Sequence, residues 1–217
     1  MRLISFTVDH GKPEAGVLSG DTVTSFGTDM LAVLASSGPL VPTGSVYGLK
    51  DIRLLAPVPR PPKLICIGLN YLDHARETGQ TVPAVPTVFN KFTNVVIGPG
   101  ASIALPKASK FPDYEAELAF VVGPGGRNIP ASRAMDHVFG YTIFNDVSAR
   151  DIQSATSQWL LGKTCDTLDC TPELRHAGRR LIGDTLGLVD ASLWISSRRA
   201  AGVWLSRRDF QGLWERW

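Results

Sequence analysis

Residues 56–63 read APVPRPPK, with four prolines in eight positions. Proline fixes φ and has no N–H to donate, so neither a helix interior nor a central strand can run through this segment. It divides the 217 residues into a small N-terminal module, 1–59, and a main body that starts at residue 60. A body of this size can bury a sizeable core.

Upstream of the joint, LISFTV, VLSG and DTVTSF alternate and turn, which predicts short antiparallel strands. Asp29–Ala35 reads as a short helix that ends at Ser36-Ser37-Gly38-Pro39. Downstream, LICIGLN (64–70) predicts a strand ending in a Gly-Leu-Asn turn, and YLDHARETG (71–79) a short helix closed by Gly79. VPAVPTVF, VVIGPG and SIALP read as strand pieces among loops. YEAELAFVVG (114–123) and VFGYTIFND (138–146) predict longer strands, with a short helix over Ser132–His137 between them. VSARDIQSATSQWLLGK (147–163) mixes helix and loop. No regular βαβ series is present, so the expected class is mixed α+β and β-rich.

Hydrophobic residues make up 44% of the chain and charged residues 19%, with a net charge of +2. That scattered balance points away from nucleic acid and anionic membranes as partners. No apolar run reaches 18 residues, so no transmembrane helix is expected. The short apolar start, with Asp9 and His10 close behind, reads as a first strand and not a signal peptide. Cys66, Cys165 and Cys170 form no disulfide framework or zinc spacing, which favours a reducing compartment. The expected location is the cytoplasm, with the mitochondrion as an alternative that lacks a clear presequence.

FPDYEAELAF sets Glu115 and Glu117 one residue apart in a strand that otherwise reads as buried. Alternation puts both on one face, roughly 7 Å apart at the backbone. Paired carboxylates repel and resist desolvation, and a hard divalent cation that takes oxygens from both resolves the conflict. An edge strand with a wet polar face is the other reading. Asp146, ending the strand FGYTIFND, offers a third carboxylate; a helix cap or Asx turn accounts for it equally well. His74 and Glu77 are three apart, on neighbouring positions of one helical turn, where a carboxylate could orient an imidazole as general base or water activator. A surface pair is the plainer alternative. Lys163, after the apolar run WLLG, is a candidate buried cation for a substrate carboxylate or enolate. Arg150 and Gln153, also three apart, are candidates to clamp the same substrate. GPGG (123–126) lacks the context of a dinucleotide loop, and no GxSxG elbow exists.

ICIGLNYLDHARETG, PTVFNKFTNVVIGPG, DYEAELAFVVG, HVFGYTIFNDVSARDIQ and QWLLGKTCDT resemble consecutive signature blocks of the fumarylacetoacetate hydrolase family, in order, over residues 60–168. The resemblance is to its small-domain branch, which includes acylpyruvate hydrolases and oxaloacetate tautomerases or decarboxylases. It implies a mixed β roll around a Mg²⁺ or Mn²⁺ ion, usually in a homodimer. It implies that Glu115, Glu117 and Asp146 are metal ligands, that His74 and Glu77 are a water-activating dyad, and that Lys163, Arg150 and Gln153 lie at the substrate. The activity it implies is C–C bond hydrolysis of small 2,4-diketo acids, with oxaloacetate tautomerisation or decarboxylation as the alternative. A non-catalytic dimerisation partner is a third reading.

The resemblance fades after Lys163-Thr164. Residues 165–217 hold 8 Arg and no Lys, against 7 of each in residues 1–164, and four of the five Trp. The expectation is a partial catalytic domain over 60–168 and a divergent tail over 169–217 foreign to the family, which leaves the roll incomplete at its C-terminal side and turnover weak or absent. A divergent helical tail is the alternative.

Overall fold

A computed structural model describes residues 1–170 and 174–176. The expected features of the tail over 177–217 lie outside the described residues. The chain opens with a meander: β1 (Arg2–Thr7), β2 (Glu14–Ser19) and β3 (Thr22–Ser25), then α1 (Met30–Ala35), β4 (Val46–Gly48) and β5 (Arg53–Leu55). Helix α1 starts where Asp29 accepts a hydrogen bond from the Ala32 N–H at 2.8 Å, a side-chain N-cap. The joint at 56–63 carries no regular element.

The body begins with β6 (Ile65–Gly68), α2 (Leu72–Glu77), β7 (Thr87–Asn90) and β8 (Val96–Ile97). The left-handed backbone of Gly79, φ +65°, lies just past the end of α2. SIALP, expected to be a strand piece, has no strand structure; it follows Gly98-Pro99-Gly100 and ends in Pro106, which has no N–H for a ladder. Then come β9 (Pro112–Asp113), β10 (Ala116–Val122), a 3-10 segment over Ala131–His137, and β11 (Val138–Asp146). The last described elements are β12 (Ser148–Ala149), α3 (Arg150–Gln153), α4 (Leu160–Lys163), β13 (Asp169–Cys170) and β14 (Leu174–His176).

Ten strands form one curled sheet in the order β4-β3-β2-β1-β14-β11-β13-β8, with β10 on β11 and β5 on β1. Pairing is antiparallel except for β13 with β8, which makes the sheet mixed. Strand β14 lies between β1 and β11, so the N-terminal strands and the body share one hydrogen-bonded surface. Packing repeats that continuity. Leu3 of β1 is fully buried in a cluster with Ala15, Met30, Val33 and Phe139 of β11, and Val121 of β10 packs against it.

Strand β10 is half exposed, not buried on both faces. Its ladder with β11 pairs Glu117 with Phe144 and Leu118 with Ile143. Residues directly opposite share a face, so Glu117, Ala119 and Val121 face inward with Phe144. Leu118, Phe120 and Val122 take the outer face, where Phe120, Val122 and Ile143 are exposed.

Candidate metal centre

The inner face of the β10–β11 ladder ends in carboxylates. Glu115 precedes the first residue of β10, yet its carbonyl accepts the Asp146 N–H at 2.9 Å. That bond extends the ladder by one step and keeps Glu115 on the Glu117 side, as alternation predicts. Asp146 ends β11 fully buried. One carboxylate oxygen from each of Glu115, Glu117 and Asp146 falls within 4.8 Å of the others.

Two lysines enter this cluster. Lys163, 2% exposed, donates to Glu115 Oε2 at 2.6 Å and to Asp146 Oδ2 at 2.8 Å. Its approach depends on Gly162, where a Cβ would stand 2.5 Å from the Gln153 backbone nitrogen; any larger residue would push α4 away from α3. Nζ also lies 5.4 Å from the centre of the Phe89 ring, in cation–π range. The second lysine, Lys91, follows β7 and donates to Asp146 Oδ1 at 2.5 Å, to the Val147 carbonyl at 3.3 Å and to Asp169 Oδ1. Asp169 is fully buried, and its Oδ2 has no hydrogen-bond partner among the described residues.

Arg150, first residue of α3, contacts Glu115 Oε1 at 2.6 Å and Asp113 Oδ2 at 2.9 Å, and donates to Gln153 Oε1 at 3.1 Å. The pair of residues expected at the substrate is thus one hydrogen-bonded unit tied to the acidic cluster. Arg150 also lines an open cleft of about 600 Å³ with Phe111, Pro112, Asp113, Asp151 and Ser154. His74, half-buried, and Glu77, exposed, lie on α2. Among the described residues no hydrogen bond or ion pair joins them to each other or to the carboxylates. The start of α2 is anchored nonetheless: the Tyr71 hydroxyl accepts the Leu118 N–H at 3.0 Å, and burial, then the nearby Glu117 charge, pushes that phenol up to about 12.

Charge crowding is visible at two of the acids. Burial, then Asp146 and Glu115, pushes the Glu117 carboxyl up to about 8, against the lowering pull of Lys163 and Lys91. Burial likewise raises Asp169 to about 7 despite Lys91. For Lys163 burial works downward, but Asp146 and Glu115 outweigh it and hold the ammonium above its ordinary value. The Cys66 thiol, in β6, is pushed far up by burial and then by Asp146 and Glu117.

The donor set fits a hard divalent cation. All three candidate ligands are carboxylates, and the strain on Glu117 is of the kind that a cation relieves. Their oxygens, one from each and all within 4.8 Å of one another, lie close enough to converge on one ion.

Lys91 and Asp169 were not singled out from the sequence. Lys91 stands between Phe89 and Phe92, an apolar setting that marks a lysine as partnered. Asp169 falls in the stretch read as the start of the divergent tail, but the structure seats it in β13, opposite Asp146.

The chain is similar in sequence and fold to known proteins. The chain is 54% identical over 124 residues to the mitochondrial oxaloacetate tautomerase of Xenopus laevis, covering 56% of this chain and 39% of that protein. It is 40% identical over 193 residues to a mitochondrial oxaloacetate tautomerase of Bos taurus, covering 77% of this chain and 60% of that one. It thus spans less than two thirds of the length of these curated relatives. The crystal structure of 5-carboxymethyl-2-hydroxymuconate delta-isomerase from Mycobacterium smegmatis matches with a TM-score of 0.69 and 33% identity, over 81% of this chain and 66% of that one. A family model described as Rv2993c-like, N-terminal, matches residues 1–57. The model of the fumarylacetoacetate hydrolase C-terminal domain matches residues 63–178, more than half of the chain and the whole of the acidic cluster with its lysines. The chain belongs to the fumarylacetoacetate hydrolase family.

Proposed function

We propose that this site interconverts the enol and keto forms of a small 2-oxo acid of the oxaloacetate type. The observation that carries this reading is the convergence of Glu115, Glu117 and Asp146 at the end of one ladder, with Lys163 bonded between two of them. The names of similar proteins, oxaloacetate tautomerases and a delta-isomerase, support proton transfer over the C–C hydrolysis that the sequence put first.

Glu115, Glu117 and Asp146 would hold Mg²⁺ or Mn²⁺. Bound there, the ion would supply Lewis-acid polarisation of the 2-oxo group and favour its enolate. Ketonisation breaks the O–H bond at C2 and forms a C–H bond at C3. One proton leaves, one arrives, and no other reactant is consumed. Lys163 brings a positive charge against the enolate oxygen. Arg150, steadied by Asp113 and Gln153, offers N–H groups to a substrate carboxylate from the cleft side. His74 on α2, with Glu77 on the same helix, is assigned the proton transfer at C3. We further infer a homodimer, with the apolar outer face of β10 and β11 as its candidate surface; light scattering reads the mass.

Hydrolysis of an acylpyruvate would use the same ligands and ask His74 to activate water, so the substrates must be compared directly. With Mg²⁺ present, purified protein should speed the decay of enol-oxaloacetate absorbance above the buffer rate and cleave acylpyruvates more slowly. Acylpyruvate cleavage without any effect on the oxaloacetate enol would reverse the order of the two readings.

A further inference from the structure

Lys91 is fully buried among acids and does not line the cleft at Arg150. Its side chain is 0% exposed, as is that of Asp169, and the side chain of Asp146 is 1% exposed. A lysine is almost never fully buried unless paired, and here its partners come from two distant parts of the chain. Its own backbone N–H is held by the Leu64 carbonyl at 3.1 Å. Its ammonium reaches Asp146 at the end of β11 and Asp169 in β13, two residues that lie opposite each other in the sheet.

The two oxygens of Asp146 are divided by this arrangement. Lys91 takes Oδ1, on the β13 side. Oδ2 lies on the other side, where Lys163 bridges it to Glu115 Oε2. Asp169 binds the same ammonium through Oδ1.

The geometry points to Lys91 as a positioning residue for the proposed cation site: tethered by Asp169, it holds Asp146 by Oδ1 and so fixes the orientation of the carboxylate that completes the acidic cluster. The inference rests on the metal-centre reading above. It makes a prediction opposite in sign to simple electrostatics. Were Lys91 only a positive charge close to the ion, removing it would strengthen cation binding. As a positioning residue, its removal weakens binding, by about tenfold or more on the scale of lost outer-shell partners.

The test is Mn²⁺ binding, followed by the electron paramagnetic resonance of the free ion. Wild type, Glu117→Gln, Lys91→Met and Lys91→Met/Asp169→Asn are compared, with circular dichroism to confirm folding. The double variant removes the buried carboxylate charge that Lys91→Met alone would strand. The expected result is one ion per wild-type chain, little or none in Glu117→Gln, and at least about tenfold weaker binding in each folded Lys91 variant. Wild-type or tighter binding in a folded Lys91 variant, with the ion lost from Glu117→Gln, overturns the inference and leaves the metal centre standing. If neither Lys91 variant folds, Lys91 is a residue of the fold and the inference is overturned. No binding by wild type overturns the metal centre itself, and the inference with it.

Discussion

Glu117 carries a sharp conflict, a carboxyl pushed up to about 8 by burial and by two like charges. The sign of its effect on stability follows. A carboxyl whose folded pKa lies above its unfolded value binds its proton more tightly in the native state. In metal-free protein the contribution of Glu117 to stability therefore falls as pH rises from about 4.5 towards about 8 and levels off above that. Glu117→Gln should flatten this slope and raise the melting temperature of the metal-free protein at pH 8 more than at pH 5, as read by thermal unfolding in a chelator. An unchanged slope would show that Glu117 is not the group responsible. Lys163→Met should lower turnover and leave buried Asp146 and half-buried Glu115 short of a donor; a turnover assay and a melting curve read both effects. At this scale much of the site was legible. Alternation placed Glu115 and Glu117 on one side, and the ladder kept them there. Lys91 and Asp169 were not legible, because their partners lie 55 and 78 residues apart in sequence and no local pattern records a contact across the sheet.

Short elements were legible where the chain itself marks their ends. Asp29 caps α1, and Gly79 lies beyond α2 in a conformation that suits glycine. SIALP was misread because apolar composition cannot tell a strand from a loop that has no partner. The α3–α4 pair depends on close approach at Gly162. Gly162→Ala sets a methyl against the Gln153 backbone, so it should shift Lys163 and lower both activity and melting temperature; Gly125→Ala, whose Cβ meets nothing within 4 Å, is the control. Asp151 fixes the segment before β9 by accepting from Ser109 Oγ at 2.6 Å and from the Lys110 N–H at 2.8 Å. These bonds, led by that of Lys110, hold its carboxyl below its ordinary value. Their contribution is present above the unfolded pKa and is lost as pH falls through the folded one. Asp151→Asn should loosen residues 107–111, seen as faster amide exchange there at neutral pH.

At the scale of the whole molecule, the Pro-rich joint divides the sequence more sharply than it divides the sheet. Strand β14 pairs with β1 on one side and β11 on the other. That crossing joins residues near position 3 to residues near 175, a separation that no reading of local periodicity can span. We propose that residues 1–59 form a module in sequence whose stability is coupled to the body. Leu3→Ala, in the cluster shared with Phe139, should cost about 2–5 kcal/mol and shift the unfolding of the site residues along with the N-terminal strands. Separate transitions for the two parts would argue against coupling. The central claim is that three carboxylates at the end of one ladder hold a divalent cation, and its most direct measurement is a Mn²⁺ titration of the 217-residue protein beside Glu115→Gln, Glu117→Gln and Asp146→Asn. The account predicts one tightly held ion in the wild type and a loss of affinity in all three variants. Equal affinity in the variants, or no ion in folded wild type, would contradict it.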